Sequence, residues 1–178
     1  MNVMAQKLDF SMGENLKQDM SILKRAITGC VEIRKTDETI DKTGIDYIAT
    51  LRGGATINID AKRREKGCSR YWQNGQPEIA LEIYSVVPSE DNKGKTGWTL
   101  NEKSDVDLIL YTFDKGDCDA SYLIPFQHLR LAFIRNYIEW VTRFGVKTQK
   151  SEYWQSSAVF VPVNDVLDAI RKASVIMA

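Results

Sequence analysis

Two aspartates and a lysine stand close together in the stretch Gly44–Glu65, GIDYIATLRGGATINIDAKRRE. Asp46 heads one apolar run, the triplet Asp60-Ala61-Lys62 closes the next, and Gly53-Gly54 joins them. Two carboxylates supply the hard oxygen ligands that suit Mg²⁺ or Mn²⁺ and leave positions for water and a phosphate oxygen. An ammonium group beside them could stabilise charge developing on phosphorus or orient an attacking water. The backbone carbonyl of Ala61 is a further candidate ligand. A bare Asp-x-Lys triplet arises easily by chance; here the flanking apolar runs and the upstream aspartate set it apart.

For these groups to meet, the backbone must bring them to one face. Asp46–Leu51 and Ala55–Asp60 are β-rich runs on either side of a glycine turn, a hairpin pattern. Asp60 and Lys62 are two apart, so on a strand they leave on the same face. A strict two-residue turn at Gly53-Gly54 would set Asp46 opposite Ala61, on the wrong face. One extra residue at the turn moves it opposite Asp60 or Lys62.

Around this hairpin the periodicity predicts a helix over Glu14–Gly29, through Leu16, Met20, Leu23 and Ile27. Val31–Arg34 reads as a short strand and Thr36–Thr43 as a loop. Glu65–Pro77 reads as loop or short helix, Ile79–Val87 as a strand, and Ser89–Gly97 as a mobile loop. Val106–Phe113, VDLILYTF, is nearly continuously apolar and predicts a buried central strand. Asp119–Ile124 follows as its hairpin partner across the turn Asp114–Asp117. Pro125–Phe144 has helical spacing, Ala158–Val163 reads as a late strand, and Asn164 as the cap of a last helix, Asp165–Lys172. The class expected is α/β (α+β), with helices flanking a mixed sheet.

No repeat, low-complexity tract or Pro/Gly-rich linker divides the 178 residues, so one domain, 1–178, is expected. Lys+Arg and Asp+Glu both total 24. A zero formal charge leaves nucleic-acid contact to a local patch rather than the whole surface. There is no apolar run of membrane-spanning length and no signal-peptide core at the N-terminus. Cys30, Cys68 and Cys118 are odd in number and widely spaced, as for free thiols in a reducing cytoplasm.

The segment resembles the PD-(D/E)XK nuclease superfamily, the restriction-endonuclease-like fold. That pattern has an N-terminal helix often bearing an acid, an aspartate at a strand start, and an apolar strand ending in (D/E)-x-K. Here Glu14, Gly44-Ile45-Asp46 and INIDAK (Ile57–Lys62) take those places, with Ile45 where the family often has proline. The layout is similar to that of Holliday-junction resolvases and related small nucleases. The resemblance implies a mixed β-sheet with a central hairpin flanked by helices, and a Mg²⁺- or Mn²⁺-dependent endonuclease acting on DNA. It assigns catalysis to Asp46, Asp60 and Lys62, and metal binding to Asp46, Asp60, Ala61 and Glu14. Cutting both strands of a duplex or junction usually needs two active sites, so a homodimer is the natural assembly.

Other residues have two readings each. Arg63, Arg64, Lys66 and Arg70, with Tyr71 and Trp72, form a basic, aromatic segment suited to phosphates and an unpaired base, or a solvated loop with an aromatic tucked inward. Glu82 is a third acid of the same cleft or the polar side of a half-buried strand. Lys93, Lys95 and Trp98 lie on a loop that could close over substrate or simply connect. Asp105 and Asp107 fit strand-start capping better than a metal pair. His128 stands alone, which disfavours zinc. No nucleophile-elbow or P-loop pattern appears. The alternatives to a nuclease are a non-catalytic nucleic-acid- or protein-binding module on the same fold, and a small regulatory protein without a nucleic-acid role.

Overall fold

The structure, a computed structural model, describes residues 3–37, 43–64, 67–72, 75–114, 120–150 and 154–176, with the side chains of 3–14, 71 and 174–176 outside that description. Helix α1 is Val3–Ala26, followed by strands β1 (Cys30–Lys35), β2 (Tyr47–Leu51) and β3 (Thr56–Arg64). Then come β4 (Glu78–Val86), β5 (Lys95–Thr96), β6 (Leu108–Phe113) and β7 (Ser121–Pro125). Helix α2 (Phe126–Phe144), strands β8 (Val146–Lys150) and β9 (Gln155–Pro162), and helix α3 (Val163–Ile176) complete the order. The class is mixed α and β, as composition and periodicity predict.

The strands divide into two sheets where the sequence suggested one mixed sheet. The first has the order β1-β2-β3-β6-β7 and the second β5-β4-β9-β8. Every pairing is antiparallel except β3 with β6, which is parallel. β4 and β9 have their own edge partners, short β5 and exposed β8, so they close a sheet of their own. β8 was not foreseen because VKTQK is polar after Val146 and lies wholly exposed.

Alternation along the first sheet assigns its two faces. Tyr47, Ala49, Ile59 and Leu110 turn toward α1 and pack on Leu23 and Ile27, with Leu16 and Met20 alongside. Leu23 is completely buried, which for a leucine contributes about 1.5–3 kcal/mol relative to exposure. The opposite face carries Ile109, Tyr111, Phe113 and Ile124 into the larger core with Ile79, Leu81, Val159 and Val161 of the second sheet. Phe126, Leu129, Phe133 and Trp140 of α2 and Val163 and Val166 of α3 complete it. The Tyr111 hydroxyl accepts the Ala80 N–H at 2.8 Å and so ties β6 to β4. Burial of that phenol pushes its pKa up to about 12.

Several boundaries moved for local reasons. β3 continues past Asp60 to Arg64 because β6 pairs with Ile59–Arg64 along its far edge. The last helix begins at Val163, whose N–H donates to the Pro77 carbonyl at 2.8 Å. Asn164 therefore sits in its first turn instead of capping it. Asp105 and Asp107 fasten strand ends, as expected: Asn58 N–H donates to Asp107 Oδ2 at 2.8 Å and Asn58 Nδ2 to the Asp105 carbonyl at 2.9 Å. Neither Cys30 nor Cys68 is in a disulfide among the described residues. Cys118, most of the turn Asp114–Asp117, Asp119 and Lys66 lie outside the described residues. Among the described residues no helix is long and apolar enough to cross a membrane.

Candidate active site

The register of the β2–β3 hairpin is set by its loop. Leu51 N–H donates to the Ala55 carbonyl at 2.8 Å, leaving Arg52, Gly53 and Gly54 as a three-residue turn. Gly53 and Gly54 have φ of 100° and 89°, conformations that glycine reaches without steric cost. This is the extra residue that a two-glycine turn lacks. Tyr47 then pairs with Ile59 and Ile48 with Asn58, and Asp46, one residue before the strand, brings its carboxyl close to that of Asp60.

Three backbone hydrogen bonds hold Asp46 in place. Its N–H donates to the Ile59 carbonyl at 2.9 Å, and its carbonyl accepts from Thr36 N–H at 2.9 Å and from Thr36 Oγ1 at 3.0 Å. Its carboxylate Oδ2 accepts the Ala61 N–H at 2.7 Å. In an extended strand the N–H and C=O of one residue leave by the same edge. The Ala61 carbonyl therefore opens on the side where the Asp46 carboxylate sits.

Asp60 and Lys62 share the face of β3 turned away from α1, toward the second sheet. Asp60 is buried, and Lys62 Nζ lies 2.7 Å from its Oδ1. That oxygen takes no directed hydrogen bond among the described residues, so ion pairing alone meets its charge. The Lys62 ammonium also lies 5.8 Å from the Trp98 ring centroid, in reach of a cation–π contact. Trp98 is held in turn by Glu82, whose Oε2 accepts the Trp98 N–H at 3.1 Å and the Ser85 hydroxyl at 2.8 Å. Glu82 thus buttresses the Trp98 turn from the second sheet.

The pair is electrostatically tense. Burial raises the pKa of Asp46; the Ala61 N–H opposes this, while the Asp60 charge and hydrogen bonding to Asp60 raise it further. Two carboxylates facing one another resist joint ionisation, and a cation relieves that resistance.

The basic residues divide between the faces. Arg63 does not join Asp60 and Lys62: it points toward α1, pairs with Asp19 at 2.7 Å and Asp114 at 3.0 Å, and reaches Gln18 at 3.4 Å. Odd and even positions of a strand part company, so Arg63 anchors the helix. Arg64 lies on the site face with its guanidinium 4.8 Å from the Phe160 ring centroid. Arg70 is exposed on the 3₁₀ turn Cys68–Tyr71, and Trp72 packs edge-on against Phe113 at 5.8 Å. Glu14 falls within α1, but its side chain lies outside the described residues.

Among the described side chains of α1, Asp19 is an acid whose charge reaches the site. It accepts from the Tyr47 hydroxyl at 3.1 Å. Burial raises its pKa, which Arg63 opposes and the Asp46 charge reinforces. The signal was present in the sequence: Asp19 interrupts the apolar stripe of Leu16, Met20 and Leu23 with a carboxylate, and a buried charge demands a partner. Trp98 and Glu82 come together only through the second sheet, beyond the reach of local spacing. Among the described residues no group of three or more His, Cys, Asp or Glu side chains is placed to hold a metal ion. No family model, curated protein or solved structure matches the chain.

Proposed function

We propose that the protein is a metal-dependent phosphodiesterase acting on DNA, with Asp46 and Asp60 as metal ligands and Lys62 as the group that assists the attacking water. The observation that carries this is the hairpin itself, which brings two carboxyls within mutual reach and sets an ammonium group against one of them. The donor set fits Mg²⁺ or Mn²⁺. Two carboxylates and the Ala61 carbonyl are oxygen donors, and Mg²⁺ commonly uses one or two carboxylates while keeping waters and substrate phosphate oxygens. Asp60 Oδ1 is buried and, among the described residues, held by the Lys62 ammonium alone at 2.7 Å, a cation that a metal ion would replace.

Bound there, a divalent ion would polarise the phosphodiester and make water a better nucleophile at neutral pH. The chain's own residues do the rest. Asp46 is fixed at the strand head by Ile59 and Thr36 and so positions its carboxylate. Asp60 is held in the middle of β3. Lys62, freed from Asp60, supplies positive charge to the phosphoryl oxygens as negative charge builds on them. The helix against a mixed sheet, and the hairpin carrying aspartate and Asp-x-Lys, support a restriction-endonuclease-like reading of the fold.

The test is cleavage of labelled single-stranded, duplex and branched DNA with Mg²⁺ or Mn²⁺. Chelator should abolish cleavage, and Asp60→Ala and Lys62→Ala should each lose about 10²–10³ in rate while remaining folded. Normal cleavage by both variants would remove the assignment. No cleavage of any DNA by the wild type would favour a non-catalytic binding module.

A further inference from the structure

The site face of β3 continues past the carboxylates to Arg64, and there it meets the second sheet. The Arg64 guanidinium lies 4.8 Å and the Lys147 ammonium 5.0 Å from the centroid of one ring, Phe160 of β9. Lys147 is on β8 opposite Ala158, on the face of the second sheet that Phe160 shares. Two cations over one ring are at most about 10 Å apart by those distances, about one Debye length at moderate salt. Neither forms an ion pair among the described residues. Arg64 Nε is buried with no hydrogen-bond acceptor there.

Two like charges with no direct ion pair among the described residues, beside a buried donor with no acceptor there, describe half of an anion site. The ring attracts both cations through its π-face and so holds them in position before an anion arrives. Arg64 is four residues beyond Asp60 on the same face, about 13 Å along the strand at about 3.3 Å per residue. A strand whose scissile phosphate lay at the carboxylates would pass its flanking backbone over this ring.

We propose that Arg64, Lys147 and Phe160 form an anchoring site for a backbone phosphate of the DNA strand, next to the Asp46–Asp60 pair and built from both sheets. The proposal rests on the nuclease reading for its ligand and adds a residue, Lys147, that lies far from the hairpin in sequence. Anchoring one strand past the scissile bond requires no duplex, so single-stranded DNA is the fitting probe.

The experiment measures binding of a fluorescein-labelled single-stranded oligonucleotide in chelator across a series of salt concentrations. Each phosphate contact on a single strand contributes about 0.7 to the slope of log affinity against log salt. Lys147→Met and Arg64→Met should each weaken binding and lower the slope, and the double variant, which releases the one anchored phosphate, should lower it by about 0.7. Phe160→Leu keeps an apolar side chain but removes the ring, and should weaken binding as well. Lys147 is exposed on an edge strand, so its variant carries the test even if Arg64→Met misfolds. Unchanged slopes alongside intact Mg²⁺-dependent cleavage would overturn the anchoring site and leave the nuclease reading standing. Reduced slopes in a protein that never cleaves would leave the site standing and overturn catalysis. Inorganic phosphate that displaces the oligonucleotide at equal phosphate concentration would assign the cations to a free anion and overturn strand anchoring.

Discussion

Replacing Asp46 by asparagine should make the metal-free protein more stable. The Asp46 and Asp60 carboxyls lie within mutual reach, and like unit charges about 5 Å apart repel by about 3 kcal/mol at an effective dielectric of about 20. The Lys62–Asp60 ion pair already offsets part of this. Asparagine keeps an oxygen to accept the Ala61 N–H. The net gain expected at pH 7 in chelator is about 1–2 kcal/mol, or roughly 2–8 °C in Tm for a chain of this size. The sign follows from the direction of the shift. The folded pKa of Asp46 is raised, so between the ordinary carboxylate value and the raised one the folded state binds more protons than the unfolded state. Wild-type stability therefore falls as pH rises through that window, and the full penalty is present above it. The advantage of Asp46→Asn should shrink as pH falls through that window and be gone below the ordinary carboxylate value. In Mg²⁺ the order should reverse, because a ligand at 100 times its Kd stabilises the form that binds it by about 2.7 kcal/mol. Thermal unfolding at several pH values, with chelator and then with Mg²⁺, measures all of this. A lower Tm for Asp46→Asn in chelator at pH 7, or a gain independent of pH, would refute the reasoning.

The same charge logic predicts a pH–rate profile for Mg²⁺-dependent cleavage that climbs through the raised Asp46 pKa and levels above it; a rate already flat in the ordinary carboxylate range would speak against Asp46 as a ligand. Arg63→Ala should destabilise by about 3 kcal/mol in urea unfolding, since it leaves Asp19 buried with its charge uncompensated; a neutral result would mean that the α1 contact is not anchored by this pair. A Cβ at Gly97 would stand 2.4 Å from the Glu82 carbonyl oxygen and 2.8 Å from its Cγ. Gly97→Ala should thus cost about 1–3 kcal/mol, read as a lower urea midpoint, and an unchanged midpoint would show that the Trp98 turn shifts freely.

What the sequence disclosed and what it withheld differ by range. The hairpin was legible because alternation and a glycine turn are local, and its register needed only the choice between two and three loop residues. β6 was legible because LILYTF is continuously apolar, as a strand covered on both faces must be. The second sheet was not, because nothing in EIALEIYSV states whether its partner is the first sheet or a strand some eighty residues later. Arg63 and Arg64 show the limit most sharply. As a basic run they look alike, yet strand alternation sends one to α1 and the other to the second sheet. Glu14 was the acid that the family resemblance suggested for the helix, and its side chain lies outside the described residues; Asp19, placed among apolar neighbours, carries a charge that reaches Asp46.

The parallel pairing of β3 with β6 separates the site's components in folding time. The carboxylate pair is set by a three-residue loop, and hairpins form in about 1–10 μs. The β3–β6 ladder must wait until residues 65–107 have been gathered into the crossover, and such non-local closure is slow. Asp46 and Asp60 therefore meet while water still screens them. Their repulsion grows only when the second sheet and Trp98 close over that face. Where that closure follows the main barrier, relieving the cost should slow unfolding and leave the folding rate nearly untouched. The hairpin commits early to a charge arrangement whose penalty is deferred until the rest of the molecule arrives.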